Sequence, residues 1–155
     1  MKKTLLIITL FITGICLGQT YDQIVETYDN GLPKVVKTYK VVEGKLQLVK
    51  EINWYPNGQK SVEGKWEVLD GETFKHNRKM GKWTFWHENG QKWKEGSYTL
   101  LLNVYNNDTT FSYPKDDKWT YWYENGQKSS VTTWELDEII SSKCWDEDGD
   151  EKECN

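Results

Sequence analysis

The sequence predicts an all-β fold, an antiparallel meander of repeated β-hairpins. Three observations predict it. Nine Trp and nine Tyr stand beside fourteen Thr and ten Val, all residues that suit a pleated, half-buried surface. Alanine, the best helix former, is absent from the 155 residues, which argues against a helix-rich fold. Asn-Gly recurs at 57–58, 89–90 and 125–126, each time preceded by aromatic residues, and that pattern reads as strand, tight turn, strand. The hydrophobic share is 37%; even with glycine added it stays below the usual ~45–50%. A thin aromatic sheet fits that share better than a deep two-layer core.

The elements follow in chain order. Met1-Lys2-Lys3, the apolar run from Thr4 to Leu17 and the small residues Cys16 and Gly18 read as a signal peptide over 1–18. The apolar run is too short to span ~30 Å of hydrocarbon as an anchor. A lipoprotein acylated at Cys16 is disfavoured, because Ile15 stands where such signals carry a small residue. The mature chain is therefore expected in the periplasm, in the cell envelope or outside the cell.

Residues 19–50 are expected to hold N-terminal strands and a degenerate repeat at Tyr28-Asp29-Asn30-Gly31, with two more strands around Glu43-Gly44. Residues 51–143 carry three close copies: Asn53 to Lys60, Phe85 to Lys92 and Tyr121 to Lys128. The first two continue with Glu-Gly and then, two residues after that glycine, an aromatic residue; the third continues to Thr133-Trp134 with Thr132 in place of the glycine. The lead-in Gly81-Lys82-Trp83 matches Asp117-Lys118-Trp119. The insertion at 69–80 is polar and turn-like, and 99–116 reads as an extra strand and then a turn. A helical turn is expected over Trp134 to Ile140. Residues 144–155 form an acidic tail in which Cys144 and Cys154 are expected to pair, as an even cysteine pair does in an exported chain.

A two-residue loop at Asn89-Gly90 would place Trp86 opposite Trp93 and Trp83 opposite Gly96; a bulged turn would shift this register. Asn57, Gly58, Asn89, Gly90, Asn125, Gly126 and Gly96 are then structural. Trp83, Phe85, Trp119 and Tyr121 would build the shared face of the sheet. Trp86, Trp93, Trp122 and Tyr123 would lie on the second face as a candidate binding platform. Lys60, Lys92 and Lys128, each just after Asn-Gly-Gln, would line one edge as candidate contacts for an anionic partner.

Catalytic chemistry is not indicated. His76 and His87 are the two histidines, and neither has a partner at a triad or metal spacing. No phosphate-binding loop occurs. Asp146, Asp148 and Asp150 superficially suggest a calcium loop, but Gly149 sits in the wrong place for one. No metal and no cofactor is expected. The net charge is −4, or −6 once Lys2 and Lys3 are removed, which argues against nucleic acid as a partner.

On the residues Trp83, Phe85, Trp86, Glu88 to Lys92, Gly96 and Tyr98, and their third-copy counterparts, the chain resembles the MORN-repeat proteins in their bacterial variant form. The resemblance covers roughly 51–134, more weakly from 28, and Thr132 departs from it. It implies an elongated antiparallel meander in a single sheet, scaffolding or partner binding, and no catalytic residues. Many exported bacterial proteins of this kind are similar to antitoxin- or immunity-labelled proteins. The expected partner is another protein; the alternatives are an immunity-type role and an envelope glycan or lipid.

Overall fold

The computed structural model describes residues 19–71, 74–105 and 108–154. The expected leader, with Cys16, lies outside them, as does the side chain of His76. Among the described residues the chain is all-β. Ten strands form one antiparallel meander: β1 (Thr20–Thr27), β2 (Pro33–Val42), β3 (Lys45–Trp54), β4 (Lys60–Gly71), β5 (Phe74–Trp86), β6 (Lys92–Tyr98), β9 (Lys115–Trp122), β10 (Lys128–Glu135), β11 (Glu138–Trp145) and β12 (Glu151–Lys152). Between β6 and β9 the chain leaves the sheet as a separate hairpin, β7 (Leu101–Tyr105) with β8 (Asp108–Ser112). The expected extra strand at 99–116 is thus a pair of strands.

The Asn-Gly turns differ from the expected two-residue loop. Tyr55 N–H donates to Gln59 O (2.7 Å) and Gly58 N–H to Tyr55 O (2.9 Å). Gly58 has φ +83° while Asn57 stays out of the left-handed region. That is a three-residue loop, a type I turn closed by a left-handed glycine bulge. The same pattern recurs at 87–91 and 123–127. In consequence Trp86 faces Lys92, not Trp93, and the bulge carries Trp93 to the face of Phe85. The expected pairing of Trp83 with Gly96 is present.

Two other expectations are corrected. The polar segment 69–80 is not a turn region. There β4 and β5 run on as a two-stranded arm, pairing from Trp66↔Lys79 to Gly71↔Phe74 beyond the reach of β3 and β6. The segment's residues are polar and carry no apolar alternation, so the strand signal is missing there. Residues 134–140 hold no helix. Leu136 (φ +51°) and Asp137 (φ +70°) form the tight turn between β10 and β11, and both carry the positive φ that such a hairpin demands. The strands expected around Glu43-Gly44 are β2 and β3.

Five turns, at 28–32, 55–59, 87–91, 123–127 and 146–150, share one hydrogen-bond pattern and stack in a column. Asn30, Asn57, Asn89 and Asn125 each donate Nδ2–H to a carbonyl of the next turn, at 2.7–3.3 Å. The Oδ1 of the same residue accepts the N–H two residues on. Tyr28, Tyr55 and Tyr123 donate their hydroxyls to Trp54, Trp86 and Trp145 carbonyls. His87 takes the tyrosine place, with Nε2 3.2 Å from Trp122 O; a carbonyl only accepts, so the proton sits on Nε2. In the last turn Asp146 and Asp148 replace the tyrosine and asparagine, and Asp146 Oδ1 accepts the N–H groups of Asp148 and Asp150 instead. The acidic tail is the terminal turn of the column, closing on itself. The Cys144–Cys154 disulfide ties its hairpin (Cα–Cα 5.4 Å).

The sheet has little core. Among the described residues the fully enclosed large side chains are Trp83 and Trp119, and Leu48 is the other buried apolar one. Each indole lies on a glycine of the preceding strand. A Cβ built on Gly64 would sit 2.0 Å from the Trp83 ring, and one on Gly96 2.1 Å from the Trp119 ring. The ring that faces Gly96 in register, Trp83, therefore fills the space over Gly64, and Trp119 fills the space over Gly96.

Candidate binding faces

Strand alternation divides the side chains into two faces. One carries a chain of ring contacts: Trp66–Trp83 (6.0 Å), Trp83–Phe85 (6.4 Å), Phe85–Trp119 (6.5 Å) and Trp119–Tyr121 (6.4 Å). Trp93 joins it edge-on to Phe85 (6.3 Å). The shared face of Trp83, Phe85, Trp119 and Tyr121 is thus present. The expected platform is divided: Trp86 and Trp122 lie on the opposite face, Trp93 on the aromatic face, and Tyr123 in the turn column.

The lysines differ between faces. On the opposite face Lys60 reaches Glu63 (2.7 Å) while lying over the next unit's Trp86 (5.8 Å). Lys92 reaches Glu95 (2.8 Å) and lies over Trp122 (5.4 Å). Lys50 and Lys82 supply a second cation to Glu63 and Glu95. Burial pushes both carboxyls up, but the hydrogen bonds and charges of these lysines outweigh it and hold them below the ordinary carboxylate value. Lys60 and Lys92 therefore lock neighbouring units together. Lys128 holds the same position in the third copy, exposed, where Val131 replaces the glutamate.

The aromatic face holds cations that the sequence analysis did not single out. Lys79 Nζ lies 4.5 Å from the Trp83 ring centre. Lys94 Nζ lies 4.2 Å from Trp93 and 4.7 Å from Phe85. Lys115 Nζ lies 4.1 Å from Trp134 and 5.3 Å from Trp119. Among the described residues no carboxylate forms an ion pair with these three ammonium groups. Asp137 does approach Lys115, but its Oδ1 accepts the backbone N–H (2.7 Å). Burial, then the charges of Lys115 and Lys79, push the Lys94 pKa down. A sequence signal existed: Lys79 and Lys115 each stand four residues before the buried tryptophan, in Lys-x-x-Lys-Trp.

Among the described residues no group of three metal-ligating side chains converges, and no helix is long and apolar enough to cross a membrane. No protein-family model matches the chain, and no curated protein matches it. A Bacteroides fragilis NCTC 9343 protein of unknown function, solved at 1.90 Å, aligns over 87% of this chain and 88% of its own at 12% identity and a TM-score of 0.28.

Proposed function

We propose that this chain is an exported, non-catalytic repeat module of the MORN-variant type, whose sheet acts as a protein-binding or scaffold surface. The observation that carries the reading is the continuous ring face, contributed by successive repeat units and only partly covered, with Trp93 43% exposed. Trp83 and Trp119 are enclosed while Trp93, in the same chain of rings, stays exposed, and an exposed aromatic ring on such a face favours an interaction site over a pure core. The signal-like segment at 1–18 supports export, and the Cys144–Cys154 disulfide is compatible with it.

The test is affinity capture from cell-envelope extract with the exported chain, repeated with Trp93→Ser and with Lys128→Gln. One defined protein, held by the wild type and lost with Trp93→Ser at unchanged circular dichroism, is the expected result. Capture of nothing, or of the same set by all three proteins, counts against the reading.

A further inference from the structure

Lys79, Lys94 and Lys115 belong to β5, β6 and β9, three neighbouring strands in the middle of the sheet. Lys115 Nζ reaches the hydroxyl of Tyr121 (3.4 Å), the residue that pairs with Lys94, and the charges of Lys115 and Lys79 both act on Lys94, so the three ammonium groups form one cluster. Each rests on a ring, and among the described residues none has the carboxylate that its counterparts on the opposite face possess. The whole chain is net negative at −4, so an uncompensated cationic cluster is a local exception. An anion bound there would relieve the mutual repulsion.

We propose that the aromatic face binds an acidic polysaccharide, its carboxylates against Lys79, Lys94 and Lys115 and its sugar rings against Trp93. This goes beyond the binding-module reading and rests on it only in taking the sheet as a recognition surface. The observations favour this ligand over other polyanions. An extended acidic peptide adds to a sheet through its backbone at a free edge, whereas Lys94 and Lys115 stand where β6 and β9 are hydrogen-bonded on both sides, and Lys79 lies on the two-stranded arm. An anionic bilayer needs a broad aliphatic patch beside the cations; of the exposed aliphatic residues, Ile24, Val25 and Leu46 lie on β1 and β3, while Ile139, paired with Trp134, stands beside Lys115. Trp83 and Trp119 are enclosed beneath their lysines, but Trp93 stays 43% exposed beside Lys94, and an exposed ring among ammonium groups suits a ligand whose repeat offers both an apolar C–H face and a carboxylate.

The probe is oligogalacturonate, titrated into the purified full exported chain while tryptophan fluorescence is followed. The fully methyl-esterified oligomer, polyphosphate of equal charge and anionic phospholipid vesicles are titrated alongside. The acid form is expected to bind in a salt-sensitive way and the ester not to bind. Lys94→Gln and Lys115→Gln are each expected to weaken binding roughly five- to tenfold, as loss of one charge-assisted contact does. Lys118→Gln, on the opposite face, removes the same charge and is expected to leave affinity unchanged. In the unsubstituted chain, the Lys94 pKa followed by side-chain NMR is expected to rise on binding, a readout that needs no variant. Equal binding of ester or polyphosphate, binding to vesicles alone, equal loss with Lys118→Gln, or an unmoved Lys94 would each overturn the proposal. Failure here with a captured protein partner removes this inference alone; oligogalacturonate binding with nothing captured removes the protein-partner reading alone.

Discussion

The middle of the sheet and its two ends fill the same repeat position in opposite ways. Seven residues after the turn asparagine, and six before the next turn's counterpart, two side chains meet across neighbouring strands of the aromatic face. In the middle these are Gly64 with Trp83 and Gly96 with Trp119. At the N-terminal end they are Lys37 and Glu51, an ion pair at 3.8 Å. At the C-terminal end they are Thr132 and Ser142, whose hydroxyls meet at 3.2 Å. The glycines are needed for the ring, because neither Gly64 nor Gly96 adopts a left-handed φ. Where the following strand brings no indole, the glycine is gone. Repeat proteins close their stacks with polar terminal units, and here polarity replaces the ring-on-glycine step itself.

Substitutions across these steps separate the two solutions. Trp119→Ala is expected to cost about 3–5 kcal/mol in urea unfolding, the range for an enclosed large aromatic. Glu51→Ala at the N-terminal step should cost about 1 kcal/mol or less, as a partly exposed pair does. Equal losses would erase the distinction between middle and end. Gly96→Ala comes next. Its methyl would collide with the indole, and overpacking of this kind costs about 1–3 kcal/mol.

Acid sharpens the picture on the opposite face. The Glu63 and Glu95 carboxyls are held below their ordinary value of 4.5 when folded. Their contribution is therefore complete above the unfolded pKa and lost as pH falls through the lower folded value. Glu63→Gln with Glu95→Gln is expected to cost about 1 kcal/mol near neutrality and to flatten the stability loss below pH 4.5. An unchanged acid slope would contradict the locking role of Lys60 and Lys92.

The smallest effect concerns the strand entry before each buried indole. Gly81 (φ +64°) and Asp117 (φ +59°) share a left-handed bulge. An L-residue is strained there, so Asp117→Gly is expected to gain about 0.5–1 kcal/mol, read as a higher urea midpoint. Gly81→Asp should lose a similar amount.

Much of this was legible in the sequence. Asn-Gly marked the turns, the even cysteine pair marked the disulfide, and the recurring glycine opposite an aromatic marked the register of Trp83. The loop type was not legible, because Asn-Gly serves both two- and three-residue loops. Here the asparagine side chain, not its backbone, supplies what the turn needs. That one-residue difference moved Trp93 to the other face and broke up the expected platform of Trp86, Trp93, Trp122 and Tyr123. The lysines inverted for a related reason. Lys60 and Lys92 looked free in sequence, because alternation puts residues three apart on opposite faces; the bulges at Ser61 and Trp93 bring Glu63 and Glu95 to their face. Lys79 and Lys115 were marked by the repeated Lys-x-x-Lys-Trp, but that among the described residues they and Lys94 have no such carboxylate depends on strand pairing, which the local sequence does not carry.

The most direct measurement is a double-mutant cycle between Gly96 and Trp119. Urea unfolding is measured for the wild type, Gly96→Ala, Trp119→Ala and the double variant. If the glycine exists to admit the indole, adding the methyl in the Trp119→Ala background should cost nothing or slightly stabilise. The same cost in both backgrounds would mean that Gly96 answers to the backbone, and the ring-on-glycine account of the sheet would be wrong.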